Sequence, residues 1–95
     1  MRKLLIIEDD TVLRENTAEL LHLAGYEPLT APNGKLGIKI AKEHLPDLII
    51  CDIMMPELDG YGVLENMSQD KATRQIPLSF YPQKRSKKIY EKAWS

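Results

Sequence analysis

The sequence has little that would cross-link it or embed it in a membrane. It contains one cysteine, Cys51, so an internal disulfide is excluded, and a single thiol is typical of a reducing compartment. Long apolar runs are missing as well. The run over residues 4–7 is far shorter than the roughly 20 residues of a membrane-spanning helix, and it ends in acids, unlike a signal peptide. We therefore expect a cytoplasmic protein without membrane contact.

Basic residues are scarce in most of the chain. Residues 1–80 carry eight Lys or Arg against thirteen Asp or Glu, whereas residues 81–95 carry five against one. A nucleic-acid backbone favours clustered Lys and Arg, so direct nucleic-acid binding is not expected. With 43% apolar residues in a chain of 95, the composition is that of one small compact domain.

Four apolar segments have the character of β-strands. Residues 4–7 and 48–51 are continuous apolar runs, the pattern of strands that are buried on both faces of a parallel sheet. Residues 26–31 and 76–80 form two weaker strands. Pro28 removes a backbone donor, which places its strand at a sheet edge.

Three helical patterns separate these strands. Asp10 is the expected N-cap of the first helix, which ends at Gly25, and the second helix begins near Asn33 and ends before Pro46. The third helix follows residues 54–60. The apolar positions at helical spacing are Leu13, Thr17, Leu20, Leu21 and Ala24 in the first helix, Leu36, Ile40, Ala41 and Leu45 in the second, and Val63, Leu64 and Met67 in the third.

This alternation predicts an α/β fold with right-handed βαβ units and a parallel, doubly wound sheet, with about four strands and three helices. Ligands of such sheets bind at the carboxyl ends of the strands. Two strands end there in acids, so Glu8, Asp9 and Asp52 are expected to converge if their strands are neighbours. Three close carboxylates repel one another unless a cation lies between them. Mg²⁺, which prefers oxygen ligands, suits them best.

Such a site has a definite chemistry. A carboxylate beside Mg²⁺ can attack phosphorus and form an acyl phosphate. Each acid alone is an ordinary strand-end or capping residue, and Asp10 is assigned only as a cap. The set of three, placed after two matching apolar runs, favours the functional interpretation.

Two segments carry a family resemblance. Residues 4–10, LLIIEDD, and residues 48–60, LIICDIMMPELDG, resemble the receiver domain of two-component response regulators, and the resemblance covers about residues 2–80. It implies a flavodoxin-like receiver fold with strand order 2-1-3-4-5. It also implies a signalling module, not a turnover enzyme, that takes its phosphoryl group from a histidine kinase. Pro56 and Gly60 would shape the loop after the third strand.

The resemblance assigns roles to individual residues. Asp52 would be the phosphoacceptor, and Glu8 and Asp9 would be the acidic pair that binds Mg²⁺ together with Asp52. Met54 would be a further metal ligand through its backbone carbonyl, a role that leaves its side chain free to pack.

The chain departs from the family after the fourth strand. A Ser or Thr is expected there, followed by a helix and a fifth strand ending in Lys, but Pro82 stands at the hydroxyl position. We interpret residues 1–80 as a partial receiver domain and residues 81–95 as a basic tail outside the family. A one-base deletion near the codons of Phe80 and Tyr81 would explain the tail, because the shifted frame permits Leu-Ser-Ala-Lys. A natural short variant and a fragment with an added tail are the alternatives.

Loss of the last third of a receiver would leave a bare sheet edge and an uncovered face. Four apolar residues of the tail at helical spacing, Ile89, Tyr90, Ala93 and Trp94, can form a short amphipathic helix against that gap. The same surface can pair with a second chain. Self-association through the sheet edge, or partial disorder, is therefore expected.

Two other functions stay open. An Asp-nucleophile phosphohydrolase usually has a second acid two residues after the nucleophile, where this chain has Met54. The other is an inert truncated product that keeps the metal-binding acids but lacks the Lys that stabilises transition-state charge. The sequence leads us to expect weak Mg²⁺ binding with slow or absent phosphorylation.

Overall fold

The computed structural model describes residues 1–81 and shows one parallel sheet with helices packed on it. Its elements are β1 (Lys3–Ile7), α1 (Thr11–Leu23), β2 (Glu27–Ala31), α2 (Gly34–His44), β3 (Leu48–Cys51), α3 (Gly60–Gln69) and β4 (Leu78–Phe80). Of the tail, residues 81–95, only Tyr81 is described, so the expectations for the tail fall outside the described residues. None of the described helices is long and apolar enough to cross a membrane.

The sheet has the strand order β2-β1-β3-β4, and all neighbouring strands are parallel. The predicted α/β fold is confirmed, and the order is the one expected of its first four strands. β2 lies at one edge, as its proline, Pro28, indicates. β1 and β3 are central neighbours, with Ile7 in register with Cys51.

The two continuous apolar runs form the centre of the core. Leu5, Ile6, Ile7 and Ile49 are fully buried. Full burial of each such side chain contributes roughly 1.5–3 kcal/mol to folding. The main cluster joins these strands to α2 and α3, and it consists of Leu5, Ile7, Ala31, Ala41, Ile49, Cys51, Met55, Val63 and Met67.

Helix α2 packs on the sheet mainly through small residues, and two members of the predicted apolar face, Ala41 and Ile40, take part in this packing. Its buried positions are Gly34, Gly37 and Ala41. A Cβ on Gly37 would collide with the side chain of Ile7, so the helix backbone lies close to β1. Leu36 is 42% exposed, and Leu45 is 53% exposed and caps the helix in the left-handed conformation, with φ 48°. These two leucines therefore lie largely outside the core although they recur at helical spacing.

Helices α1 and α3 also bury less than their apolar patterns predict. Leu20 of α1 is 68% exposed and Leu64 of α3 is 40% exposed. The apolar stripe of each helix is thus wider than the part that contacts the sheet. Val63 and Met67, which lie on that part, are buried as expected.

Side-chain caps set the starts of all three helices. Asp10, Asn33 and Asp59 each accept a hydrogen bond from the backbone N–H three residues later, at 3.1, 2.9 and 2.8 Å respectively. Gly25, with φ 98°, follows the end of α1 in the left-handed conformation. The Asp10 cap and the Gly25 stop are confirmed.

The fourth strand, β4, is shorter than predicted. It begins at Leu78 because Ile76 still belongs to a turn, in which its N–H donates to the carbonyl oxygen of Thr73. The carbonyl of Pro77 accepts a hydrogen bond from Ile49 in β3, so pairing starts one residue before the strand.

Candidate metal centre

Three acids meet at the carboxyl ends of β1 and β3. Glu8 and Asp9 directly follow β1 and Asp52 directly follows β3, and these strands are neighbours. The N–H of Asp52 donates to the carbonyl of Ile7 at 3.0 Å, which holds the two strand ends together. One carboxylate oxygen from each acid lies within 4.8 Å of the other two. The structure thus brings together the three acids that the sequence singled out.

Two of the three acids are buried and the third is open to solvent. Glu8 and Asp52 are fully buried, whereas Asp9 is exposed. Glu8 is held through both its backbone and its side chain: Oε2 accepts the N–H of Asp10 at 2.9 Å, and the carbonyl accepts Nη1 of Arg14 at 2.8 Å. Buried carboxylates this close are costly unless a cation compensates their charge.

The raised pKa of Cys51 reflects its burial and the negative charge of the site. Burial first, and then the negative charges of Asp52, Glu8 and Asp59, together raise the pKa of its thiol to about 12. The thiol therefore stays protonated at neutral pH, and its Sγ donates to the carbonyl oxygen of Asp52 at 3.2 Å. It acts here as a donor to the backbone, and the negative field around it favours a cation.

The loop from Ile53 to Asp59 turns sharply before α3. Glu57 has φ 69°, and the N–H of Leu58 donates to the carbonyl of Pro56 at 2.8 Å. The N–H of Gly60 then closes the loop by donating to the carbonyl of Ile53 at 2.7 Å. The sequence suggested that Pro56 and Gly60 shape this loop, and both make these closing contacts.

A cleft of about 680 Å³ adjoins the acids, lined by Asp9, Ile53, Met54, Met55, Pro56, Asp59 and Tyr61. Met54, whose carbonyl is the predicted further ligand, is 47% exposed and shares this cleft with Asp9. Sequence reasoning missed Tyr61, whose ring lies 5.3 Å from that of Phe80 at an interplanar angle of 59°. No local pattern marks this pair, because the contact joins α3 to β4.

Comparison with known proteins identifies the family. The sequence model of the response regulator receiver domain matches residues 4–94. The chain belongs to this family. The resemblance found in the sequence is thereby confirmed, and the receiver is a domain of two-component response regulators.

Relatives and solved structures agree with this membership. The DNA-binding dual master transcriptional regulator RpaA of Synechocystis is 36% identical over 78 residues, which cover 82% of this chain and 32% of that protein. The chain thus spans about a third of the length of that relative. The signal receiver domain of a signal transduction histidine kinase from Syntrophus aciditrophicus is 28% identical, with a TM-score of 0.79, and the match covers 94% of this chain and 71% of that one.

A further structure resembles the receiver in fold. It is the receiver domain of sensor histidine kinase PA1611 from Pseudomonas aeruginosa, with a magnesium ion coordinated in its active site cleft. It has a TM-score of 0.80 at 21% identity, and the match covers 92% of this chain and 74% of that one. At this identity the likeness shows the fold alone. The family's expected hydroxyl and Lys positions fall beyond residue 81, outside the described part of this chain.

Proposed function

We propose that this receiver accepts a phosphoryl group on Asp52 from a histidine kinase, in a reaction that depends on Mg²⁺. The observation that carries the proposal is the convergence of Glu8, Asp9 and Asp52 within 4.8 Å at the carboxyl edge of the sheet. Family membership supports it, because a receiver is the phosphorylated module of a two-component system. The kinase partner and a cytoplasmic location are parts of this proposal.

The donor set fits a hard divalent cation. Glu8, Asp9 and Asp52 offer only oxygen atoms, and two of these acids are buried, where their mutual repulsion calls for a compensating charge. We assign Mg²⁺ to these three carboxylates and to the backbone carbonyl of Met54. When bound, the ion neutralises charge on the phosphoryl oxygens during transfer. The magnesium ion in the PA1611 receiver supports this choice by analogy of fold.

The chain's own contribution is to position the nucleophile. A carboxylate oxygen of Asp52 forms a bond to phosphorus, while the P–N bond to the donor histidine breaks and its electron pair returns to the imidazole. The backbone of Asp52 is held through its N–H by Ile7 and through its carbonyl by the thiol of Cys51. Such positioning accounts for most of the catalysis of phosphoryl transfer. The residue is modified once, so the chain is not a turnover enzyme.

The decisive experiment is phosphorylation with a small acyl-phosphate donor, followed by intact-mass spectrometry. We expect one phosphoryl group to be added slowly, in a reaction that requires Mg²⁺ and that is lost in Asp52→Asn. Asp10→Asn is the matched control, because Asn is an equally good N-cap and Asp10 lies beside the cluster without belonging to it. Modification that persists in Asp52→Asn, or that proceeds fully in EDTA, would contradict the proposal.

The same experiment separates the two alternative functions. Continuous release of phosphate, beyond one equivalent per chain, would indicate a phosphohydrolase, although the position of its usual second acid is occupied by Met54. Mg²⁺ binding without any adduct would indicate an inert product.

We further propose that a second copy of the chain pairs with the outer edge of β4. Pro77 and Tyr81 form hydrogen bonds with β3, so by alternation the backbone groups of Leu78 and Phe80 face away from it. Among the described strands β4 is the edge opposite β2. A two-fold axis through this edge would continue the sheet into the second copy. The exposed Tyr61, whose ring packs at a tilt against that of Phe80, extends the surface.

A further inference from the structure

We propose that Gly60 is a positioning residue for the metal centre. Any larger residue at this position would displace the backbone that carries the metal ligands. The inference rests on the proposed Mg²⁺ site at Asp52. Gly60 is the first residue of α3 and is buried against the end of β3, which Asp52 follows. Its missing Cβ allows the first turn of α3 to contact the backbone of residues 52 and 53 directly.

The space around Gly60 is closed on three sides. A Cβ at this position would lie 2.6 Å from the carbonyl oxygen of Asp52, 2.8 Å from Cα of Ile53 and 2.8 Å from Cε1 of Phe80. Two of these atoms belong to the backbone and cannot rotate away. The glycine is not needed for its own conformation, since its φ is not positive and alanine favours helices. An added methyl group would therefore act by displacing the backbone after β3.

That backbone segment is held from both sides. The thiol of Cys51 donates to the carbonyl oxygen of Asp52, the atom closest to the position of the missing methyl group. On the other side, the N–H of Gly60 donates to the carbonyl of Ile53 at 2.7 Å. The peptide after Asp52 thus lies between a buried thiol and the first turn of α3, so an added methyl group would push it away from α3 and toward the cleft that Ile53 and Met54 line.

Displacement at this point would reach the ligands. Asp52 supplies a carboxylate to the cluster. Met54, whose backbone carbonyl is the assigned further ligand, directly follows Ile53. Mg²⁺ requires near-octahedral geometry with oxygen atoms at about 2.0–2.1 Å, so shifts of a few tenths of an ångström weaken its binding. Contacts that hold metal ligands in place typically change metal affinity by about 10–100-fold when they are removed.

A second glycine of the same helix provides the control. A Cβ on Gly62 would lie 2.5 Å from Cδ1 of Leu58, which is the far end of a flexible side chain, and 3.5 Å from Oδ1 of Asp59. It meets no backbone atom of residues 52 or 53 among its three nearest neighbours. Gly62→Ala therefore adds the same methyl group two residues further along α3, without displacing the end of β3.

The test compares Mg²⁺ affinity and thermal unfolding of wild type, Gly60→Ala and Gly62→Ala by calorimetry. We expect Gly60→Ala to weaken Mg²⁺ binding by about tenfold or more in the folded protein, and Gly62→Ala to leave the affinity unchanged even where it lowers the unfolding temperature. A role in overall packing alone would lower the unfolding temperature and leave the affinity of the folded chain unchanged. That result in Gly60→Ala would overturn the inference.

A second variant covers the case in which Gly60→Ala does not fold. In Gly60→Ala/Phe80→Leu the contact with the ring is removed, which lessens the crowding around the added methyl group, and we expect this variant to fold. The two backbone contacts remain, so it is still expected to bind Mg²⁺ weakly. Failure of both variants to fold, even at saturating Mg²⁺, would also overturn the inference, because Gly60 would then serve the whole fold. If the wild type itself binds no Mg²⁺, the proposed function fails, which is a different outcome from equal affinities in wild type and Gly60→Ala.

Discussion

The backbone N–H of Asp52 donates a hydrogen bond of 3.0 Å to the carbonyl oxygen of Ile7. This bond extends the pairing of β1 and β3 by one residue past the end of β3. Because Glu8 and Asp9 follow Ile7 directly, sheet geometry places all three acids at one level. The position of the cluster is therefore set by the backbone pairing of two central strands. Buried strands of this kind are usually the last elements of a domain to open.

Mg²⁺ should stabilise the folded chain. A ligand that binds only the native state at about ten times its Kd raises the free energy of unfolding by about 1.4 kcal/mol. We expect this increase in urea titrations of the wild type, its reversal by EDTA, and little response in Asp52→Asn. An equal Mg²⁺ response in Asp52→Asn would place the ion elsewhere.

Without a divalent ion, Asp52→Asn should be more stable than the wild type. The substitution keeps the shape of the side chain and removes one of three negative charges that lie within 4.8 Å. We expect a gain of about 1 kcal/mol in EDTA, since like charges at such distances repel by a few kcal/mol at an effective dielectric constant near 20. The exposed Glu65→Gln serves as the control for loss of charge alone and should change stability little.

Asp70 should contribute a pH-dependent part of the stability. The N–H of Ala72 and the ammonium of Lys42, 3.3 Å away, lower the pKa of its carboxyl below the ordinary 3.8. A lowered pKa means that the stabilisation is present above pH 3.8 and is lost as the pH falls through the pKa of the folded state. Wild type should exceed Asp70→Asn in urea midpoint at pH 7, and the two midpoints should converge in acid. Because the pair is exposed, the difference should be small and should decrease with salt.

The outer edge of β4 should mediate self-association. Ser79 is exposed in this strand, and a Lys on a sheet edge opposes pairing with another chain. We expect sedimentation velocity to show dimers of the wild type at high concentration and monomers of Ser79→Lys. Thr30→Lys places the same charge on the exposed position of β2, at the opposite edge, and should leave the dimer intact. Monomers of wild type across the whole concentration range would contradict the proposed pairing.

Much of the fold could be predicted from local patterns. Continuous apolar runs identified β1 and β3 as central strands, Pro28 placed β2 at an edge, and Asp10 and Gly25 marked the ends of α1. These signals are reliable because each depends only on a residue and its close neighbours in the sequence. The roles of individual acids came from the family resemblance and remain predictions to be tested by the experiments above.

The sequence alone determined which residues would end the two central strands, because burial on both faces demands continuous apolar side chains and the acids that follow must lie at the edge. Only the tertiary structure decided how closely other elements approach them. Leu36 is exposed while Gly37 contacts Ile7, and Gly60 lies against Asp52. Helix periodicity shows which residues share one face of a helix, but it does not show how close that face comes to a neighbouring element. That distance depends on the volumes of side chains far apart in the chain, which meet only when the domain is folded.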